Sequence, residues 1–252
     1  MDAFNNEVTK HLIDYIREYL EDVIIDMEEN EEEQIDSSKV FISYSWTNKD
    51  IADMIDEDFK GLGIDLTRDE RDLKYKDSIK QFMQQVGKHD YVIMIISDSY
   101  LKSENCMYEV MEVMRNREYK NKILMIILKD EDKRYFKDYE ERIKNDQEFS
   151  NLAIGADIYS TTGRISYIEY WERKEEELES SIARIKTEIN KIQPLNELKR
   201  INNITRDIGD FLTELSDWMS IPLKELKESD YKPLLDDMNI SEEKMVVNNT
   251  GL

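Results

Sequence analysis

Short apolar runs alternating with amphipathic stretches predict an α/β fold on a parallel sheet covered on both faces. Three observations carry this. Residues 39–45, 64–67, 91–96 and 123–128 are compact and rich in β-branched or apolar side chains, with a weaker fifth run near 156–159. Between them apolar residues recur at helical spacing, as in Ile51, Met54, Ile55, Phe59 and Leu62. Each run is separated from the next by enough chain for a crossover helix. The expected fold class is therefore α/β, a flavodoxin-like doubly wound five-stranded parallel sheet in the order 2-1-3-4-5. An N-terminal helix and a C-terminal helical hairpin are added to it.

Taken in order, residues 1–34 form an appendage. Phe4, Val8, Leu12, Tyr15, Ile16, Tyr19, Leu20, Val23 and Ile24 mark an amphipathic helix, followed by a self-repelling acidic linker over 28–34. Residues 35–162 hold the sheet. Thr47 or Asn48 is placed to cap the first crossover helix, and Gly61 and Gly63 punctuate its end. A charged loop over 68–76 precedes a helix carrying Ile79, Phe82, Met83 and Val86. After the third strand comes a helix over 103–117 with Cys106, Val110 and Val113 on one face. A polar helix over 133–144 precedes the weak fifth strand.

Residues 163–252 are helical. Leu178, Ile182, Ile185, Ile189 and Ile192 alternate steps of four and three, a coiled-coil seam that Pro194 breaks. Leu195, Leu198, Ile201, Ile204, Ile208, Leu212, Leu215 and Trp218 supply a second stripe, so an antiparallel hairpin is expected. It reads as a structural brace, with a partner-binding arm as the alternative. The last residues, from Asn248, are expected to fray.

Composition narrows the function. Asp and Glu number 57 against 35 Lys and Arg, a formal net charge of -22. Such a surface repels phosphate backbones and anionic lipid, so neither nucleic acid nor membrane is an expected partner. One cysteine excludes an intrachain disulfide framework, and with only two histidines, His11 and His89, no Cys/His zinc cluster is expected. The polar, acidic first residues are not a signal peptide, and no apolar run reaches the ~18 residues of a membrane span. A cytoplasmic location is the expectation.

In the 2-1-3-4-5 order, ligands bind outside the carboxyl ends of strands one and three. Here those ends are Ser43-Tyr44-Ser45-Trp46 and Ser97-Asp98-Ser99, both rich in hydroxyls. Glu109 stands on the helix leaving strand three, about 60° around it from Cys106 at ~100° per residue, on the margin of the buried stripe. The ordinary alternative for Glu109 is a solvated acid on a charged helix. Cys106 reads as a small buried residue rather than a nucleophile, having no histidine near it in sequence.

Val40-Phe41-Ile42-Ser43-Tyr44-Ser45, the charged loop 65–78, Val92 to Ser99, and Ser103-x-x-Cys106-x-x-Glu109 follow one another as in a TIR domain. Over roughly 39–159 the chain resembles a bacterial stand-alone TIR protein. The segment from Gly163 to Glu172 and the helices after it are similar to the carboxy-terminal extension of some such proteins. Leu73-Lys74-Tyr75-Lys76 departs from the Pro or Gly often found in the loop, and Asn105 from the aromatic often found before the cysteine.

The resemblance implies cleavage of NAD+ at the nicotinamide–ribose bond, giving ADP-ribose or a cyclic ADP-ribose signal, as in Thoeris-type antiphage defence. It implies Glu109 as the catalytic carboxylate. Tyr44, Ser45 and Trp46, with Ser97 at the facing strand end, would line the nucleotide site. Ser103 and Cys106 would flank the ribose, and the loop around Arg68 and Asp69 would gate the pocket. Trp46 suits stacking or plain packing equally, and Arg68 suits phosphate or a local salt bridge.

The chemistry is self-consistent. Nicotinamide is a good leaving group, and a nearby carboxylate stabilises the oxocarbenium-like ribose left behind. No Gly-x-Gly-x-x-Gly run is present, so NAD+ is expected as substrate, with no cofactor and no metal. The resemblance also implies self-association through TIR domains into a homo-oligomer on activation, with a sensor or effector protein as a further partner. The rival is a non-catalytic TIR scaffold acting by TIR–TIR self-association. A phosphoacceptor receiver domain is disfavoured, because Ser43, Tyr44 and Ser45 replace the acidic cluster it needs after strand one.

Overall fold

The chain divides into two units, residues 1–38 and 39–252. The computed structural model describes residues 39–68, 86–115, 121–218 and 221–240. The appendage over 1–34, the loop from Asp69, the helix bearing Ile79 and the terminal residues lie outside the described residues.

Four strands form one parallel sheet: β1 (Val40–Tyr44), β2 (Leu66–Arg68), β3 (Tyr91–Ile96) and β4 (Ile123–Ile127), in the order β2-β1-β3-β4. The described helices are α1 (Lys49–Gly61), α2 (Asp98–Leu101), α3 (Glu104–Arg115), α4 (Tyr139–Asn145), α5 (Gln147–Asn151), α6 (Thr161–Ala183), α7 (Ile192–Asp217), α8 (Leu223–Glu228) and α9 (Lys232–Asp237). None of the described helices is long and apolar enough to cross a membrane.

The expected fifth strand is not formed. Ala156 donates one backbone bond to the Leu128 carbonyl at 2.9 Å, but Ile158 N–H then turns back on the Ala156 carbonyl at 2.9 Å. Upstream, the Asp130 carboxylate takes the N–H groups of Ile154 and Gly155, both at 2.9 Å. With its donors used locally, this segment crosses the sheet edge without extending the ladder. Ile158 is fully buried all the same, which accounts for its apolar pattern. The polar helix expected over 133–144 is likewise split: a 3₁₀ turn over Asp130–Tyr135 and α4 are separated at Asp138, whose φ is 55°.

Side chains alternate across the sheet, giving two cores. Phe41, Val92 and Met94 face α3, α6 and α7, meeting Val110, Trp171, Ile204 and Leu212. Val40, Ile42, Ile93 and Ile95 face α1, α8 and α9, meeting Ile55, Phe59, Leu223 and Leu235. The helical extension thus contributes to both faces.

In α6 and α7 the hairpin is antiparallel, but the turn lies earlier than the proline predicts. Ile168 lies against Gly209, and Glu175 is 3.3 Å from Asn202, seven residues further along each helix in opposite directions. α6 stops at Ala183, and Pro194 falls in the first turn of α7, where an N–H has no helical partner to lose. The expected seam consequently ends early: Ile182 is buried, whereas Ile189 and Ile192 are exposed.

α1 ends in a Schellman motif, with Gly63 at φ 80° donating to Lys60 and Ile64 N–H to the Phe59 carbonyl. The helix also buries two acids, Asp53 and Asp56. Lys49 donates to both Asp53 oxygens at 2.8 Å, Lys137 reaches it at 3.3 Å, and Arg68 binds it while also meeting Asp56 at 2.8 Å. Burial alone would raise the Asp53 carboxyl, but the three cations outweigh it and hold it at about 2. The group is depressed below its ordinary value of 3.8. Its stabilisation is therefore complete above that value and is lost as the pH falls through about 2. Asp53→Asn is expected to lower unfolding stability at neutral pH by about 1–3 kcal/mol and to flatten the acid limb between about pH 4 and 2. Denaturant titrations across pH check this, and an unchanged acid limb would show that Asp53 is not the group responsible.

Candidate active site

The register of β1 on β3 pairs Tyr44 with Ile95, so the residues just past each strand come out side by side. Ser43, one position on from Ile42, lies on the α3 face; Tyr44 packs, half-buried, with the α1 core. Ser43 Oγ is 3.4 Å from the hydroxyl of Tyr100, itself fully buried. After Tyr44 the backbone stays extended through Ser45, then a 3₁₀ turn over Trp46–Asn48 leads into α1. After β3, Ser97 caps α2 by accepting the Tyr100 N–H at 3.0 Å.

A continuous hydrogen-bonded chain joins the two ends. Ser97 donates to Asn48 Oδ1 at 2.6 Å, and Ser99 donates to the same oxygen at 3.0 Å. Thr47 donates to Ser99 at 2.5 Å. Having spent its single proton there, Thr47 accepts from Ser45 at 3.1 Å. Every proton in the row therefore points toward Asn48 Oδ1. Asn48 is 1% exposed, and its Nδ2 has no acceptor among the described residues. It does not cap α1 through its side chain, as its position had suggested. The side chain is used across the sheet instead.

Glu109 sits on α3, five residues from its start, about 7.5 Å along the axis. It is 1% exposed, more deeply buried than a margin position predicts. α3 explains this, because Met107, Glu109, Val110, Met111 and Val113 are all buried, about 200° of its circumference at ~100° per residue. Cys106 is on the same face one turn nearer the helix start, and there it is half-buried and outside any disulfide. Ser103 precedes the helix and accepts the Cys106 N–H at 3.4 Å.

The structure brings Ser45 and Ser97 into one network, and adds Ser43, Thr47, Asn48, Ser99 and Tyr100 to that edge. Trp46 stands beside it, 56% exposed. Arg68 is not in the network; its guanidinium is held by Asp53 and Asp56, since two buried carboxylates in one helix demand the nearest cation. Asp69 lies outside the described residues. The Ser-x-Ser pattern at a strand end signalled the edge, whereas Asn48 carried only the local signal of a cap.

α6 fastens this edge from behind. Trp171 Nε1 donates to the Leu101 carbonyl at 2.9 Å and Tyr170 to the Lys102 carbonyl at 3.2 Å, satisfying acceptors that the short α2 leaves open. Tyr167 donates to Asp98 at 3.1 Å, and burial together with that carboxylate raises its phenol well above the ordinary value. Gly163 allows the approach, since a Cβ there would overlap the Asp157 carbonyl oxygen.

Asn48→Ala removes the acceptor of the buried Ser97 hydroxyl and the half-buried Ser99 hydroxyl and is expected to cost about 1–3 kcal/mol of stability. Asn48→Asp, which keeps an acceptor, should cost less. Thermal unfolding of the two variants compares them, and equal losses would show that the acceptor is not what matters.

Comparison with known proteins supports the same reading. A family model described as TIR domain matches residues 40–153, spanning all four strands and both hydroxyl-bearing edges. No curated protein matches the chain. Residues 40–153, which hold all four described strands in the order β2-β1-β3-β4, thus match a TIR domain, and a helical extension follows them.

Proposed function

We propose that the protein is a NAD+ glycohydrolase whose catalytic carboxylate is Glu109. The observation that carries this is a glutamate 1% exposed on the helix leaving β3, on the sheet face shared by Ser43 and Tyr100. A carboxylate in this place suits the charge that NAD+ develops as it is cleaved. As the C1′–N1 bond breaks, its electron pair leaves with neutral nicotinamide and positive charge passes to the ribose, where a nearby carboxylate is most stabilising.

Water attacking C1′ and losing a proton gives ADP-ribose; attack by a nucleophilic atom of the same nucleotide gives a cyclic product. Ser45, Thr47, Ser97 and Ser99 offer a row of hydroxyls for ribose, and Asn48 Nδ2 a donor in need of an acceptor. Trp46 offers an exposed ring for stacking. Ser103, just before α3, and Cys106, on its first turn, would stand beside the sugar. Antiphage signalling is the setting implied by the resemblance to Thoeris-type proteins, with self-association completing the site.

The test is NAD+ loss with product identification by mass. Glu109→Gln is expected to lower the rate by about 10²–10³-fold with the fold intact. The product mass separates hydrolysis from cyclisation. A variant as active as wild type removes Glu109 from the mechanism. A wild-type chain inert toward NAD+ even when clustered would leave the non-catalytic scaffold reading.

A further inference from the structure

The turn between α6 and α7 is unlike the rest of the molecule in two ways. Seven large hydrophobic residues are exposed among the described residues, and three of them, Ile189, Ile192 and Leu195, fall here at steps of three, 72%, 59% and 48% exposed. The charge is also inverted. Over residues 184–200 five cations (Arg184, Lys186, Lys191, Lys199 and Arg200) meet two carboxylates, Glu188 and Glu197. That is a net of +3, which leaves -25 on the remainder of a chain whose total is -22.

An apolar, basic tip on an acidic molecule is complementary to another copy of that molecule. It is not complementary to a second tip, which would repel it. The acidic counterpart lies on the same hairpin. On α6, Glu172, Glu176, Glu177 and Glu179 are exposed, about 6–17 Å before its end at Ala183 at 1.5 Å per residue.

We propose that two copies of this chain pair through their hairpins, side by side and in opposite directions, each basic tip lying on the acidic shaft of the other. The arrangement is two-fold, so the same contact is made twice and the assembly closes at two. Ile189, Ile192 and Leu195 are covered in the pair, and Lys186 and Lys199 face the partner's glutamates. The pairing is independent of what the hydroxyl-lined edge does, because it uses none of those residues.

Sedimentation of the full chain over a concentration series tests this without reference to catalysis. Wild type is expected to show a reversible monomer–dimer equilibrium. Lys186→Glu with Lys199→Glu should raise the dimer dissociation constant at least tenfold, as should Glu176→Lys with Glu179→Lys. All four positions are exposed, so circular dichroism and Tm should match wild type. An equimolar mixture of the two double variants should recover dimer, since each then offers the other's complement at both contacts. Ile192→Ser should weaken pairing separately, through lost apolar burial. A wild-type chain that stays monomeric, reversals that leave the constant unchanged, or a mixture that fails to recover dimer would each overturn the proposal.

Discussion

Everything at the candidate site depends on β1 pairing in parallel with β3, two strands distant in sequence. Backbone bonding between them fixes Tyr44 opposite Ile95, and with that the chain's two hydroxyl-rich corners arrive at one edge. The Asn48 bonds to Ser97 and Ser99 then tie those corners together after the ladder has ended. A register slip of one residue would turn Ser43 away from the α3 face and separate Asn48 from its donors. The site is a consequence of the sheet, with side chains only completing what the backbone register begins.

Acidity is the second constraint. A chain this negative must still bury some carboxylates, and it treats them differently by place. Asp53 and Asp56 are surrounded by Lys49, Arg68, Lys60 and Lys137, and become a stabilising cluster that locks β2 to α1. Glu104 is held by Lys174 but is partly buried between α3 and the hairpin, and burial raises its carboxyl. Glu109 is buried deepest, in the face of α3 that meets the sheet. Cations able to serve a ligand are thereby drawn into the scaffold, Arg68 among them.

The α/β class and the first four strands were legible because their apolar runs are short, separated and nearly uninterrupted. What was not legible shares one cause: local pattern and long-range partner disagree. Asn48 has the position of a helix cap, but two serines just beyond the end of β3 claim its oxygen. Residues 156–159 are apolar enough for a strand, yet Asp130 captures the preceding N–H groups. Ile189 and Ile192 continue a perfect seam on paper, but α6 ends at Ala183 and the chain turns before they can enter the core. The depth of Glu109 was not legible either, because the buried face of α3 is about 200° wide and extends past the narrow apolar stripe that the sequence marks.

The sharing of one core between the sheet and α6–α7 has a consequence for how the molecule opens. Val92 and Met94 are covered in part by Trp171, Ile204 and Leu212, and Leu101 and Lys102 lend their carbonyls to α6. The TIR segment and the extension are thus not separate foldons. Amide protons of β3 and of α6 should be released to exchange in a single cooperative event. The matched segment, by itself, would leave the α3 face of its sheet only partly covered.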